Sequence, residues 1–240
     1  MVYSIEQWVQ AEEIFDLTRR LVRCQTENPP AAVAEAVIIL KNILEDNDIW
    51  ATNEEFDTEK PNLISRLKGR GNGRKLLLNG HLDVVAPGDG WTVDPWAAQE
   101  QDGRIYGRGT ADMKAGVAAM AACLLALKRS AAPFNGEVTL TAVADEETGS
   151  RAGTLALLEH GLDADFAIVG EPTCCEVCIG NRGGRHIEIK VKGKSSHASR
   201  PFLGRNAAVD AARVVLALEN LDLGAKEDPR FEIKKPTAAV

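Results

Sequence analysis

The sequence predicts an α/β fold: a mostly parallel, helix-flanked sheet followed by the start of a smaller α+β domain. Three observations carry this expectation. Short apolar runs of strand length alternate with longer segments whose apolar residues recur at helical spacing. Three strand-like runs end in an imidazole or a carboxylate: KLLLNG before His81, VTLTAVAD before Glu146 and Glu147, and FAIVG before Glu171. From about residue 182 the texture changes to RHIEIKVKG, which alternates as an antiparallel strand with one wet face does. The shift divides the chain into a 1–181 domain and a 182–240 segment.

In order, residues 5–23 place Ile5, Trp8, Val9, Ile14, Leu17 and Leu21 at helical spacing, and the prolines of QTENPP end that helix. A second helix is expected over 31–46, with Val33, Val37, Leu40 and Leu44 on one face. Strands follow at 49–56, 63–67 and 75–79, the last two separated by the turn KGRGNGR. The stretch 84–106 reads as a long irregular loop, and such loops inside a compact domain are usually functional. Residues 113–129 form a helix that is apolar almost all round and therefore buried. A central strand is expected over 137–144, a short helix ending at 155–160 with Gly161 as its cap, and a strand over 166–169. After the loop GKSSHASRPFLGRN comes a helix over 207–221, and the last segment holds room for one more short strand.

Bulk properties exclude several classes. Hydrophobic residues are 45% and charged residues 26% of 240, an ordinary globular composition. The net charge is -7 and no Lys/Arg stripe exists, so nucleic acid is not an expected partner. The N-terminus carries acids where a signal peptide needs bases, and no apolar segment is expected to reach the ~18 residues of a membrane span. Five unevenly spaced cysteines suggest reduced thiols in a cytoplasmic protein. Cys174, Cys175 and Cys178 make a single CxxC without a second pair, which reads as free thiols in preference to structural zinc.

The stretch 107–116, GRGTADMKAG, joins a glycine-rich turn to the start of a long apolar helix and carries one carboxylate, Asp112. A dinucleotide or phosphate loop needs strand, three spaced glycines and helix; here the third position, 112, is Asp, and Gly69, Gly71 and Gly73 precede a strand. Parallel sheets place their sites at the strands' carboxyl ends, so His81, Glu146, Glu147 and Glu171 should converge there, with Asp112 arriving from the start of its helix. Taken alone, Asp112 reads as a helix cap and His81 as a structural histidine. Acids recurring at strand ends make that bland reading poor, because clustered carboxylates repel unless a cation sits between them. One His with several Asp/Glu suits Zn²⁺, Mn²⁺ or Co²⁺, and two such ions sharing a carboxylate would lower the pKa of a bridging water. Asp83 lies two residues on, where a carboxylate can orient a metal-bound imidazole.

The ordered set LVRCQTENPP, GHLDVV, GRGTADMKAG, DEETGS, GEPT, SSHASRP and GRNAA resembles the dinuclear-metal M20 family of amidohydrolases and peptidases. The resemblance implies a dinuclear zinc aminopeptidase-like catalytic domain and, from 182, the beginning of a lid that mediates homodimer contacts. It implies that His81, Asp112 and Glu171 hold one divalent ion, that Asp112 bridges, and that Glu147 binds the second. Glu146 would be the general base, Asp83 the partner of His81, His197 an oxyanion donor and Asn206 a substrate contact. A cis peptide after Asp112 is also implied. The substrate would be a small N-acyl amino acid or short peptide, with TADMKAG and GEPT leaning towards the acetylornithine and succinyl-diaminopimelate branch. Family members continue to a further ligand histidine, so this chain would correspond to roughly the first 60% of one. The alternative reading is a catalytically incomplete member that binds metal or a partner without turnover.

Overall fold

The computed structural model describes residues 4–184, 187–224, 226–231, 233 and 235–239. Its sheet is built from β1 (Trp50–Glu55), β2 (Pro61–Lys68), β3 (Lys75–His81), β6 (Glu137–Val143) and β7 (Phe166–Val169), in the order β1-β2-β6-β3-β7. The pairs β6/β3 and β3/β7 are parallel, whereas β1/β2 and β2/β6 are antiparallel, so β2 alone runs against the other strands. The sheet is thus mixed. Only the short 56–60 connection joins β1 to β2, too short for a crossover, and a hairpin is what such a link permits.

Helices α1 (Ala11–Arg23), α2 (Ala34–Glu45) and α3 (Ala115–Ser130) cover one face. Their apolar stripes (Leu17 and Leu21, Leu40 and Leu44, Val117 and Leu124) meet Leu63, Leu78 and Leu140 of the sheet. The adjacent strand residues Ile64 and Leu77, with Val143, point to the other face and pack on Leu157 of α4 (Thr154–Glu159) and on Leu162. Alternation along each strand thus supplies two cores from one sheet.

Several local expectations change. The first helix is interrupted: a single 3₁₀ turn at Glu6–Trp8 is separated from α1 by extended backbone at Val9 and Gln10. The long loop contains a small hairpin, β4 (Gln99–Gln101) with β5 (Arg104–Tyr106). The segment Thr110–Ser130, 21 residues with mean hydropathy 1.4, does meet the length and apolarity of a membrane span, contrary to the sequence expectation. Eight residues of α3 are buried in this domain, Val117 and Leu124 among them, and that burial accounts for the apolarity.

The chain divides into two compact units, Met1–Cys178 and Ile179–Val240. In the second, α5 (Ala207–Glu219) is capped by Asn206, whose Oδ1 accepts from the amides of Ala208 (3.0 Å) and Val209 (3.3 Å). The strand expected from RHIEIKVKG is not formed over 187–193; Arg185 and His186 lie outside the described residues. A strand exists only as a pair, and here one isolated bridge, Lys194 to Arg205, is all that the described residues of this unit provide. No strand appears among the described residues of the last segment either.

Candidate metal centre

Register brings the site together. His81 ends β3 opposite Val143, the last residue of β6, and Asn79 pairs with Val169, the last of β7. The chain leaving β6 therefore delivers Glu146 and Glu147, and the chain leaving β7 delivers Glu171, to the edge where His81 stands. Asp112 arrives across a turn at Gly109, whose φ of 82° is left-handed and suits glycine. The Asp112–Met113 peptide is cis. Asp112 has extended backbone angles and makes no capping hydrogen bond, so the cap reading fails: α3 begins only at Ala115. Gly116 then lets α3 approach the exit of β7, since a Cβ there would lie 2.3 Å from the carbonyl oxygen of Gly170.

His81 is 2% exposed. Its Nδ1 lies 2.8 Å from the carbonyl oxygen of Asp83, an acceptor only, so Nδ1 carries the proton and donates. In the neutral ring Nε2 is then a lone pair, and it faces Asp112 Oδ1 at 3.1 Å, Glu171 Oε1 at 3.7 Å and Glu146 Oε2 at 3.9 Å. A lone pair aimed at carboxylates demands either a proton or a cation between them. Ligand atoms of His81, Asp112 and Glu147 all lie within 4.8 Å of one another. This nitrogen and oxygen donor set fits a divalent ion of the zinc, cobalt or manganese kind.

The electrostatics of the cluster agree. Burial works against a charged His81, but the Asp83 carboxylate and carbonyl, with Glu171 and Glu146, outweigh it and raise the imidazole pKa. Burial raises Glu171 to about 7; Asp112 and Glu146 push the same way and His81 opposes. Glu147 is raised by burial, helped by Asp112, Glu146 and Asp83. Each acid carries repulsion that a shared cation would remove.

Asp83 serves His81 and the turn after β6 at once. It orients His81 through its backbone carbonyl, while its carboxylate Oδ1 stands 3.6 Å from Nδ1. That fully buried carboxylate instead accepts the amides of Glu146 and Glu147, each at 3.1 Å, and Asn28 Nδ2 at 2.8 Å. The carboxylate turns this way because the amides following β6 need acceptors and the carbonyl already serves the ring.

In the second unit, His197 is exposed, and its Nδ1 accepts from the amide of Ser199 at 3.2 Å, which leaves the proton of the neutral ring on Nε2. Asn206 spends its oxygen on the helix cap, and its Nδ2 makes no hydrogen bond among the described residues. Cys174, Cys175 and Cys178 are exposed free thiols and join no metal-type cluster among the described residues.

Sequence reasoning missed the residues that hold the Glu146–Glu147 turn. Asn62, fully buried, accepts the Ala144 amide at 3.0 Å and donates to the Ala152 carbonyl at 2.8 Å. Lys60 Nζ meets Asp145 Oδ1 at 2.9 Å. Asp145 is held down at about 2: burial opposes this, but hydrogen bonds from Thr148, Lys60 and the Ala152 amide prevail. Asn28 and Asp145 lie inside the motifs QTENPP and DEETGS, which offered a signal; Lys60 and Asn62 lie in none.

A mixed, helix-flanked sheet with a His/carboxylate donor set at the carboxyl ends of its parallel strands is the layout of the dinuclear zinc peptidase fold. The sequence profile of peptidase family M20/M25/M40 matches residues 77–237, and the chain belongs to that family of hydrolases. Among curated relatives, a succinyl-diaminopimelate desuccinylase of Gluconobacter oxydans is 37% identical over 224 residues, covering 88% of this chain and 58% of its own length. A probable succinyl-diaminopimelate desuccinylase of Staphylococcus epidermidis is 35% identical over 192 residues, covering 78% and 46%. This chain therefore spans less than two thirds of the relatives it matches. Among solved structures, the M20 family metallo-carboxypeptidase Sso-CP2 of Sulfolobus solfataricus superposes with a TM-score of 0.67 at 23% identity, covering 90% of this chain and 51% of its own. Human carnosine dipeptidase 1 gives 0.59 at 21% identity, over 69% and 41%. These two show the shared fold.

Proposed function

We propose that the protein carrying this chain is a divalent-metal-dependent hydrolase of the amide bond in a small N-acyl amino acid or short peptide. The observation that carries the reading is the His81 Nε2 lone pair facing Asp112, Glu171 and Glu146, with Glu147 in the same cluster. His81, Asp112 and Glu171 would hold one ion, and Asp112 and Glu147 the second. Bound zinc, or cobalt or manganese in its place, would polarise the scissile carbonyl and lower the pKa of a water between the ions.

The chain's own residues do the rest. Glu146 takes a proton from the attacking water and returns it to the departing amine. Asp83 holds the amides of Glu146 and Glu147, and its carbonyl fixes the His81 tautomer. His197, with its proton on Nε2, is a neutral N–H donor suited to a developing oxyanion, and Asn206 is a candidate substrate contact. The names of the curated relatives favour an N-succinyl amide of a diamino acid as substrate. We assign residues 182–240 to a lid with homodimer contacts, and five cysteines without a disulfide suit a cytoplasmic setting.

Metal titration with turnover of an N-succinyl amino acid tests the reading. Glu146→Ala should lower kcat by roughly 10²–10⁴-fold while metal content is retained. Normal turnover in that variant would sink the mechanism. A second reading, metal or partner binding without turnover, has one observation in its favour: β7 leaves Phe166, Ile168 and Val169 more than half exposed. Metal uptake with no hydrolysis would select it.

A further inference from the structure

The turn that carries Glu146 and Glu147 begins at Asp145, whose φ of 69° lies in the left-handed region that a non-glycine residue adopts only when held there. Its side chain is what holds it. Oδ1 accepts from Thr148 Oγ1 at 2.6 Å and from Lys60 Nζ at 2.9 Å, and Oδ2 accepts the Ala152 amide at 3.2 Å. Among the described residues Lys60 is the cation paired with this carboxylate, and its own second partner is Asp57 at 3.4 Å. Lys60 belongs to the β1–β2 connection, outside every motif that marks the site. Asn28 closes the circuit, donating to Thr148 Oγ1 at 3.1 Å and to Asp83 Oδ2 at 2.8 Å, while Asp83 accepts the amides of Glu146 and Glu147. A ring of hydrogen bonds therefore runs from Lys60 through Asp145, Thr148, Asn28 and Asp83 back to the turn.

We propose that Lys60 is a positioning residue for Glu146 and Glu147, acting through the Asp145 carboxylate on the turn that presents them. This rests on the reading of Glu146 as general base and Glu147 as ligand. A turn released at one end displaces a base by the fraction of an ångström to which proton transfer is sensitive. Among the described residues Lys60 pairs with Asp57 and Asp145 and with no member of the cluster, so its loss should act on kcat and on the turn, leaving the rest of the sheet intact.

The test compares Lys60→Met and Lys60→Arg with the wild-type protein, loaded with zinc and assayed on an N-succinyl amino acid. Lys60→Met should lower kcat by roughly 10–100-fold with KM within about twofold, and Lys60→Arg should recover most of the loss. Hydrogen exchange, measured without metal, should quicken about tenfold at the amides of 146–149 and stay unchanged in β3 and β6. Wild-type kcat in Lys60→Met, no recovery in Lys60→Arg, or exchange quickened throughout the sheet would each overturn the proposal. If the wild-type protein neither binds zinc nor hydrolyses the amide, the reading of Glu146 and Glu147 fails on its own. The exchange at 146–149 then decides whether Lys60 holds the turn, and unchanged exchange there refutes it.

Discussion

Replacing Asn62 by Ala should destabilise the fold and weaken the metal centre together. The side chain is fully buried and spans both ends of the loop that follows β6, through the Ala144 amide at 3.0 Å and the Ala152 carbonyl at 2.8 Å. Ala144 and Ala152 are themselves buried, so water cannot replace the lost partner. Two orphaned backbone groups at ~1–3 kcal/mol each give a loss of ~2–6 kcal/mol. Whole-domain stabilities are about 5–15 kcal/mol, so the effect is large. With a urea slope of about 2 kcal/mol per M, the unfolding midpoint should fall by roughly 1–3 M. Chelator in every sample keeps metal linkage out of the comparison. Asn62→Leu fills the space without restoring either hydrogen bond and should stay nearly as destabilised. A midpoint for Asn62→Ala within about 0.3 M of wild type would refute the accounting.

Gly116→Ala brings a Cβ to 2.3 Å from the Gly170 oxygen, which must push α3 away from the exit of β7. We expect a loss of ~1–3 kcal/mol and weaker zinc binding by calorimetry, because Asp112 and Glu171 sit on the two sides of that contact. Cys24 is buried and its thiol is pushed up to about 11, by burial first and the Glu35 charge second. The unfolded thiol ionises from about pH 9 while the folded one stays neutral, so its contribution to stability is intact below that pH and falls as pH rises towards 11. The fall amounts to roughly 2–3 kcal/mol, and Cys24→Ala should flatten this alkaline limb in pH-dependent urea titrations.

The legible part of the candidate site consisted of residues whose chemistry is tied to their place on a strand. His81, Glu146, Glu147 and Glu171 follow apolar runs of strand length, and a parallel arrangement sends all such ends to one edge. Asp112 was legible because its glycines failed the phosphate-loop spacing. The reversed direction of β2 was not, since apolar alternation is the same in either direction and only the short link at 56–60 decides it. Nor was the interruption at Val9 and Gln10, where helical spacing continues across extended backbone. The strand expected from RHIEIKVKG shows the opposite limit: a pattern states which face would be wet and supplies no partner to pair with.

By itself the sequence determined the strands and helices of the main sheet and its flanking helices, the candidate ligands at strand ends and the family, because these depend on local periodicity and on short ordered motifs. Only the tertiary structure decided how those residues are held. Asp83 set its carbonyl on His81 and its carboxylate on the amides of Glu146 and Glu147, and Lys60 and Asn62 reached across from β2 and its connection to the turn after β6. Such contacts join positions more than sixty residues apart, and nothing in the local pattern of a lysine or an asparagine encodes which buried acceptor it will meet.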